Sequence, residues 1–187
     1  MRTHWWTTTM TMTMAAGLLL APSGAVTAQA QHHRSPGAHS GVWLSGGLGG
    51  GTTSEEDGGA AGYFRLGGSP SPNVLLGGEV IGLSYDQDGA QVSFGNATFD
   101  VLYYPAPAGG FFAKGGVGFA SVTVSEDVGG GTFTTDDQGL GLTLGVGYDI
   151  KIGGNLYLTP NVDLLHQRFD EDRDATIWLF TLGIGMH

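Results

Sequence analysis

A chain of 187 residues with only 13% charged residues and 35 glycines departs from the composition of an ordinary soluble globule. Its net charge of −10 argues against a nucleic-acid partner, since phosphate binding needs clustered Lys and Arg. The absence of Cys removes disulfides, thiolate metal sites and cysteine nucleophiles. No apolar run of about 20 residues follows the N-terminal segment, so membrane-crossing helices are not expected there.

Residues 1–30 read as an export signal. Arg2 precedes an apolar region through Met14, Ala15, Ala16 and Leu18 to Leu20, and Ala28-Gln29-Ala30 supplies a small-x-small cleavage site. A mature chain would begin at Gln31. Residues 31–40, QHHRSPGAHS, have no apolar period and read as a flexible tail. His32, His33 and His39 lie in it with nothing to fix a metal geometry, so no metal site is read there.

From residue 41 onward, eight runs rich in Val, Leu, Phe, Tyr, Thr and Gly are bounded by turn residues. They span about 41–53, 59–68, 73–86, 91–104, 110–124, 132–149, 155–168 and 175–187. The links between them alternate in character. SEEDG (54–58), DQDG (86–89), SEDVGGG (125–131) and FDEDRD (169–174) alternate with GSPSP (68–72), PAPAGG (105–110) and KIGG (151–154). An up-and-down meander with two chemically different ends produces that alternation.

The acids sharpen it. Of 17 acidic residues, all but Glu79, Asp100, Asp149 and Asp163 lie in or beside the first set of links. A barrel of even strand number keeps both termini at one membrane face, so the acidic end is expected to be the outer one. Aromatic residues also fall into two bands. Trp43, Tyr103, Tyr104, Phe111, Phe112, Tyr148 and Tyr157 lie at one set of strand ends, and Phe64, Tyr85, Phe94, Phe119, Phe169 and Trp178 lie toward the other. Such bands suit the two membrane interfaces.

The last run shows the alternation most plainly. Trp178, Phe180, Leu182, Ile184 and Met186 occupy every second position, with Ile177, Leu179, Thr181, Gly183 and Gly185 between them. A period of two gives a strand one bulky apolar face and one face that narrows toward its end. The bulky face suits lipid. The same parity, applied to the earlier runs, turns Arg65, Glu79, Asp100, Lys114 and Asp163 to the opposite face. A cation facing lipid at mid-depth costs about 2–4 kcal/mol, so these five are expected to form a charge network in the lumen.

GVWLSGGLGGG (41–51), FFAKGGVGFA (111–120), LGLTLGVGYDI (140–150), the leader and the terminal strand together resemble the small eight-stranded outer-membrane barrels, the OmpA-like and OmpX-like superfamily. The resemblance covers residues 41–187. It implies an all-β, eight-stranded antiparallel up-and-down transmembrane barrel in the outer membrane. Such barrels usually end in Phe or Trp, and this chain ends Met186-His187, which places the outward terminal signal at Met186.

An eight-stranded interior can be filled by side chains, so a plugged lumen is expected rather than an open pore. The expected role is structural or surface-interacting, with acidic extracellular loops, and no enzymatic activity or cofactor is expected. Expected partners are outer-membrane lipids and lipopolysaccharide, bridged through divalent cations that suit clustered carboxylates, and the barrel-assembly machinery during insertion. The chain is expected to be a monomer.

Two rival readings stand beside this one. A lipid A-modifying enzyme would draw on His166 with one of Ser84, Ser93, Ser121 or Ser125. A soluble lipocalin-like barrel would use Gly41-Val42-Trp43 as its G-x-W opening, but it should carry a polar exterior, opposite to the alternation read here.

Overall fold

The computed structural model describes residues 41–53, 58–87, 90–128, 131–169 and 173–187. The expected leader (1–30) and tail (31–40), and most of the SEEDG and FDEDRD links, lie outside the described residues. The strands are β1 (Gly41–Thr53), β2 (Gly59–Ser71), β3 (Val74–Gln87), β4 (Ala90–Tyr103), β5 (Phe111–Val128) and β6 (Gly131–Tyr148), followed by the short β7 (Ile150–Gly153), β8 (Leu156–Arg168) and β9 (Asp174–Met186). Each pairs antiparallel with its neighbours. β9 returns to β1, and β6 pairs with β8, so eight long strands close a ring. The fold is a closed, all-antiparallel up-and-down β-barrel.

The alternation read from the sequence is the one that builds the wall. In β9, Leu182 is 53% exposed and its neighbour Thr181 only 5%. The outer wall carries Leu48, Phe64, Leu66, Val80, Phe99, Val117, Leu142 and Leu144, all exposed. The lumen instead holds Arg65, Glu79, Asn96, Thr98, Asp100, Lys114, Thr143, Asn161, Asp163 and Gln167, all buried. An apolar exterior around a polar interior is the reverse of a water-soluble barrel.

Two boundaries depart from the sequence reading. The stretch 125–131 was expected to be a link, but β5 and β6 pair as far as Val128 with Gly131. Both strands run 18 residues against 13 in β8, and β4 follows β5 as far as Ala90 opposite Glu126, so this hairpin extends well past β8 on one side and only slightly past β4 on the other. Thr and Val at 122–124 and 132–135 favour extended backbone and override the loop-like Gly and acid content.

The second departure is at 149–154, expected to be strand end and turn. Gly147 pairs with Asn161, and Ile150 pairs with Leu158 in the same register. β7 therefore continues the line of β6 after a break. At the break Tyr148 stands opposite Pro160, which has no N–H to give the ladder. The Thr159 hydroxyl donates instead to Asp149 Oδ1 at 2.6 Å.

The lumen is layered along the barrel axis. Ala61, Tyr63, Ile81, Leu83, Leu165, Ile177 and Leu179 form an apolar cluster on the acidic-link side. Trp43, Leu75, Leu102, Tyr104 and Phe112 form a second one toward the end that carries Gly41 and Met186. The charged residues lie between the two. Trp43, Tyr104, Phe112 and Phe169 are buried, and Tyr85 and Phe94 pack against the first apolar cluster, so these residues leave the expected aromatic bands and face inward. Tyr103, Phe111, Tyr148, Phe64, Phe119 and Trp178 remain outside.

Candidate functional site in the barrel lumen

Arg65 on β2 and Glu79 on β3 are direct cross-strand partners, which sets their side chains on one face at close range. The Arg65 Nε–H donates to Glu79 Oε2. Glu79 also accepts from Lys114 of β5, whose Nζ lies 2.7 Å from both carboxylate oxygens. The Lys114 ammonium reaches Asp163 Oδ1 of β8 at 2.8 Å, and Arg65 Nη2 lies 3.4 Å from Asp163 Oδ2. Two cations thus bridge two carboxylates.

Neutral groups complete the guanidinium's surroundings. Arg65 Nη1 donates to Asn161 Oδ1 at 3.3 Å, and its Cζ lies 3.9 Å over the Tyr63 ring. The Tyr63 hydroxyl accepts from Asn161 Nδ2 at 3.1 Å. Arg65 is 1% exposed, so these contacts replace water rather than supplement it.

Asp100 is placed differently from its expected pairing. It is fully buried, yet neither carboxylate oxygen accepts a hydrogen bond among the described residues. The physical reason lies in its register. Asp100 stands opposite Gly116 on β5, and its carboxylate occupies the space that a Gly116 side chain would fill. Both cations are meanwhile engaged by Glu79 and Asp163.

Asp163 repeats the arrangement over Gly145 of β6. A narrow lumen accommodates large polar side chains by pairing them with glycines. This gives several of the chain's glycines a specific task.

A second polar cluster escaped the sequence reading. Gln167 Nε2 donates to Asn96 Oδ1 at 2.8 Å and to the Gly95 carbonyl at 3.0 Å. Asn96 Nδ2 donates to Thr143 Oγ1 at 3.2 Å. Parity was the available signal, since Gln167 shares its face with Asp163 and Leu165. Toward the opposite end, Asp149 Oδ2 accepts from the Tyr104 hydroxyl at 2.7 Å and lies 3.4 Å from His187 Nε2.

The residues named for a hydrolytic reading do not converge in this way. His166 sits on the outer wall of β8, with Nδ1 3.3 Å from Thr176 Oγ1 of β9. Ser84 and Ser93 bond each other at 2.9 Å across β3 and β4. β5 and β6 separate them from His166 around the wall.

No protein-family model matches the chain, and no curated protein does. Solved structures do. The attachment invasion locus protein Ail of Yersinia pestis, solved with the heparin analogue sucrose octasulfate, superposes with a TM-score of 0.58 at 9% identity. That match covers 79% of this chain and 99% of Ail. Neisserial surface protein A gives 0.54 at 13% identity, covering 78% and 94%. The N-terminal barrel of Pseudomonas aeruginosa OprF gives 0.51 at 14%, covering 79% and 98%. The chain has the fold of the small outer-membrane β-barrels. At these identities the likeness is one of architecture, and the side chains that fill this lumen must be read on their own chemistry.

Proposed function

We propose that the chain is an integral outer-membrane β-barrel with a structural or surface-interaction role and a plugged lumen. The observation that carries this reading is the pairing of an apolar wall with a closed interior. Two apolar clusters flank a band of ion-paired charges, an arrangement that supports a lumen filled by side chains. Residues 1–30 act as the export signal and 31–40 as a tail ahead of the barrel domain at 41–187. The acidic links face the exterior and bridge to lipopolysaccharide through divalent cations. The barrel-assembly machinery acts on the chain during insertion, and the chain works as a monomer without catalysis.

Ail's polyanionic ligand does not transfer to this chain. Acids crowd the outer links here, and a sulfated sugar would meet like charge there.

The test is heat-modifiable migration of the full chain from an outer-membrane fraction. A folded band that shifts on boiling supports the reading, and recovery only in the soluble fraction overturns it. Comparing lipid A from cells with and without the protein separates this role from lipid A chemistry: unchanged lipid A is expected.

A further inference from the structure

Five ionisable side chains fill the middle of the lumen: Arg65 on β2, Glu79 on β3, Asp100 on β4, Lys114 on β5 and Asp163 on β8, all buried. With every one of them ionised, two positive charges would face three negative ones. The ion pairs use four of the five, since Arg65 and Lys114 each bridge Glu79 and Asp163. Asp100 is left over. Both of its oxygens are buried without a hydrogen-bond partner among the described residues. A lone carboxylate removed from water is among the most costly groups to bury, and such a group commonly neutralises instead.

The cations near it are already engaged. Lys114 acts on Asp100 from β5, but its ammonium has three hydrogens, and they face both Glu79 oxygens and Asp163 Oδ1. Arg65 on β2 serves Glu79, Asn161 and Asp163 of β8. On the β5 side Asp100 fills the place of a Gly116 side chain, and Thr98 Oγ1 lies 3.1 Å from that same point, also without a partner among the described residues. On the β3 side stands Glu79. It pairs with Thr98 in the ladder, so Glu79 and Asp100 are diagonal neighbours on one face, and their carboxyl groups come within hydrogen-bonding reach. Two carboxylates so placed repel, and neither has a hydrogen to donate. One proton turns the same contact into a hydrogen bond.

We propose that Asp100 is a proton-binding site, a carboxylic acid in the folded barrel at neutral pH whose O–H donates to Glu79 and whose carbonyl oxygen is placed to accept from the Thr98 hydroxyl. The bound proton balances the buried band at two positive and two negative charges. It also supplies the partner that register denies to Asp100, which lies over a glycine rather than a cation. Loss of that proton restores the third negative charge beside Glu79, so the barrel's stability responds to alkalinity.

The test uses the detergent-solubilised full chain and Asp100→Asn, whose amide has the shape of the acid and a hydrogen for Glu79 but no proton to lose. With aspartate carboxyls isotopically labelled, the infrared spectrum at neutral pH should show the carbonyl band of a protonated aspartate, and Asp100→Asn should lack it. Urea unfolding gives the linked result. An aspartate in the unfolded chain sheds its proton above about pH 4, so keeping it in the barrel weakens the unaltered chain as the pH rises. Its folded-to-unfolded ratio, relative to that of Asp100→Asn, should fall by about tenfold per pH unit above that point until the proton leaves. Below it the relative ratio should be flat.

Absence of the band from the unaltered chain at neutral pH would overturn the proposal, as would a relative ratio that stays flat on the alkaline side. Stabilisation of the unaltered chain, but not of Asp100→Asn, when sodium replaces choline at equal ionic strength would assign the missing charge to a metal cation and overturn it too. Heat-modifiable migration establishes that each barrel folds. Should Asp100→Asn fail to fold, the spectrum of the unaltered chain decides by itself.

Discussion

Glu79 and Asp163 belong to strands on opposite sides of the ring, and both Arg65 and Lys114 bridge the space between them. The interior therefore carries an ion-pair bridge across its full width. Because the bridge is desolvated, its members are interdependent, and the cost of losing one is set mainly by what it leaves behind.

Replacing Arg65 by Ala leaves Glu79 and Asp163 short of a cation and should destabilise the barrel by about 3–5 kcal/mol. Glu79→Ala should lose a comparable amount. The double variant should lose less than the sum, because the two residues share one network. Thermal unfolding of the detergent-solubilised barrel, followed by gel migration, reads all three. Strict additivity would mean that the two side chains act independently.

Gly116 and Gly145 hold the space occupied by the Asp100 and Asp163 carboxylates. Gly116→Val and Gly145→Val should each cost about 1–3 kcal/mol, the usual range for overpacking. A side chain at Gly153 meets nothing within 4 Å, so Gly153→Ala provides the comparison and should leave the melting temperature nearly unchanged.

Asp at Leu182 places a carboxylate on the lipid-facing wall, whereas Asp at Thr181 places it in the lumen. Leu182→Asp should therefore reduce the assembled, heat-modifiable fraction more than Thr181→Asp. Equal yields from the two variants would contradict the facing of β9.

On the proposed plugged lumen, the intact barrel should conduct little in planar-bilayer recordings; apolar clusters lie on either side of its charges. A steady, large conductance would show an axial path that these packed layers do not provide.

N-terminal sequencing of protein extracted from the membrane should begin at Gln31, after Ala28-Gln29-Ala30. Recovery of an intact Met1 would refute cleavage there.

Much of this architecture is legible before any coordinates, because a strand's period of two is strict. Facing Trp178 outward fixes Leu179 inward, and the same parity turns Arg65, Glu79, Asp100, Lys114 and Asp163 to the lumen. What parity does not carry is who meets whom across the interior. Asp100 and Lys114 share the inner face, yet strand register sets Asp100 over Gly116 instead of on the ammonium. Aromatic residues near strand ends were read by height alone, so Trp43 and Phe112 were placed in a membrane band although they pack inside. The extension of β5 to Val128 and of β6 from Gly131 is obscured by its own composition, since Gly and acids signal a loop until the paired Thr and Val residues are weighed across the strands. The break at Tyr148 depends on Pro160, a residue on another strand, and no local window contains both.

The direct pairing of Arg65 with Glu79 also has a consequence for how the sheet is zipped. If β2 slid by one residue against β3, the guanidinium would swing to the bilayer side, at about 2–4 kcal/mol for the cation at mid-depth. A slide of two residues would restore the facing but draw the two groups apart by about 7 Å along the strand. Glycine-rich, smooth strands such as β1 and β2 have few bulky side chains to hold them in place. In this barrel a single buried ion pair acts as the key that admits one alignment and rejects its neighbours.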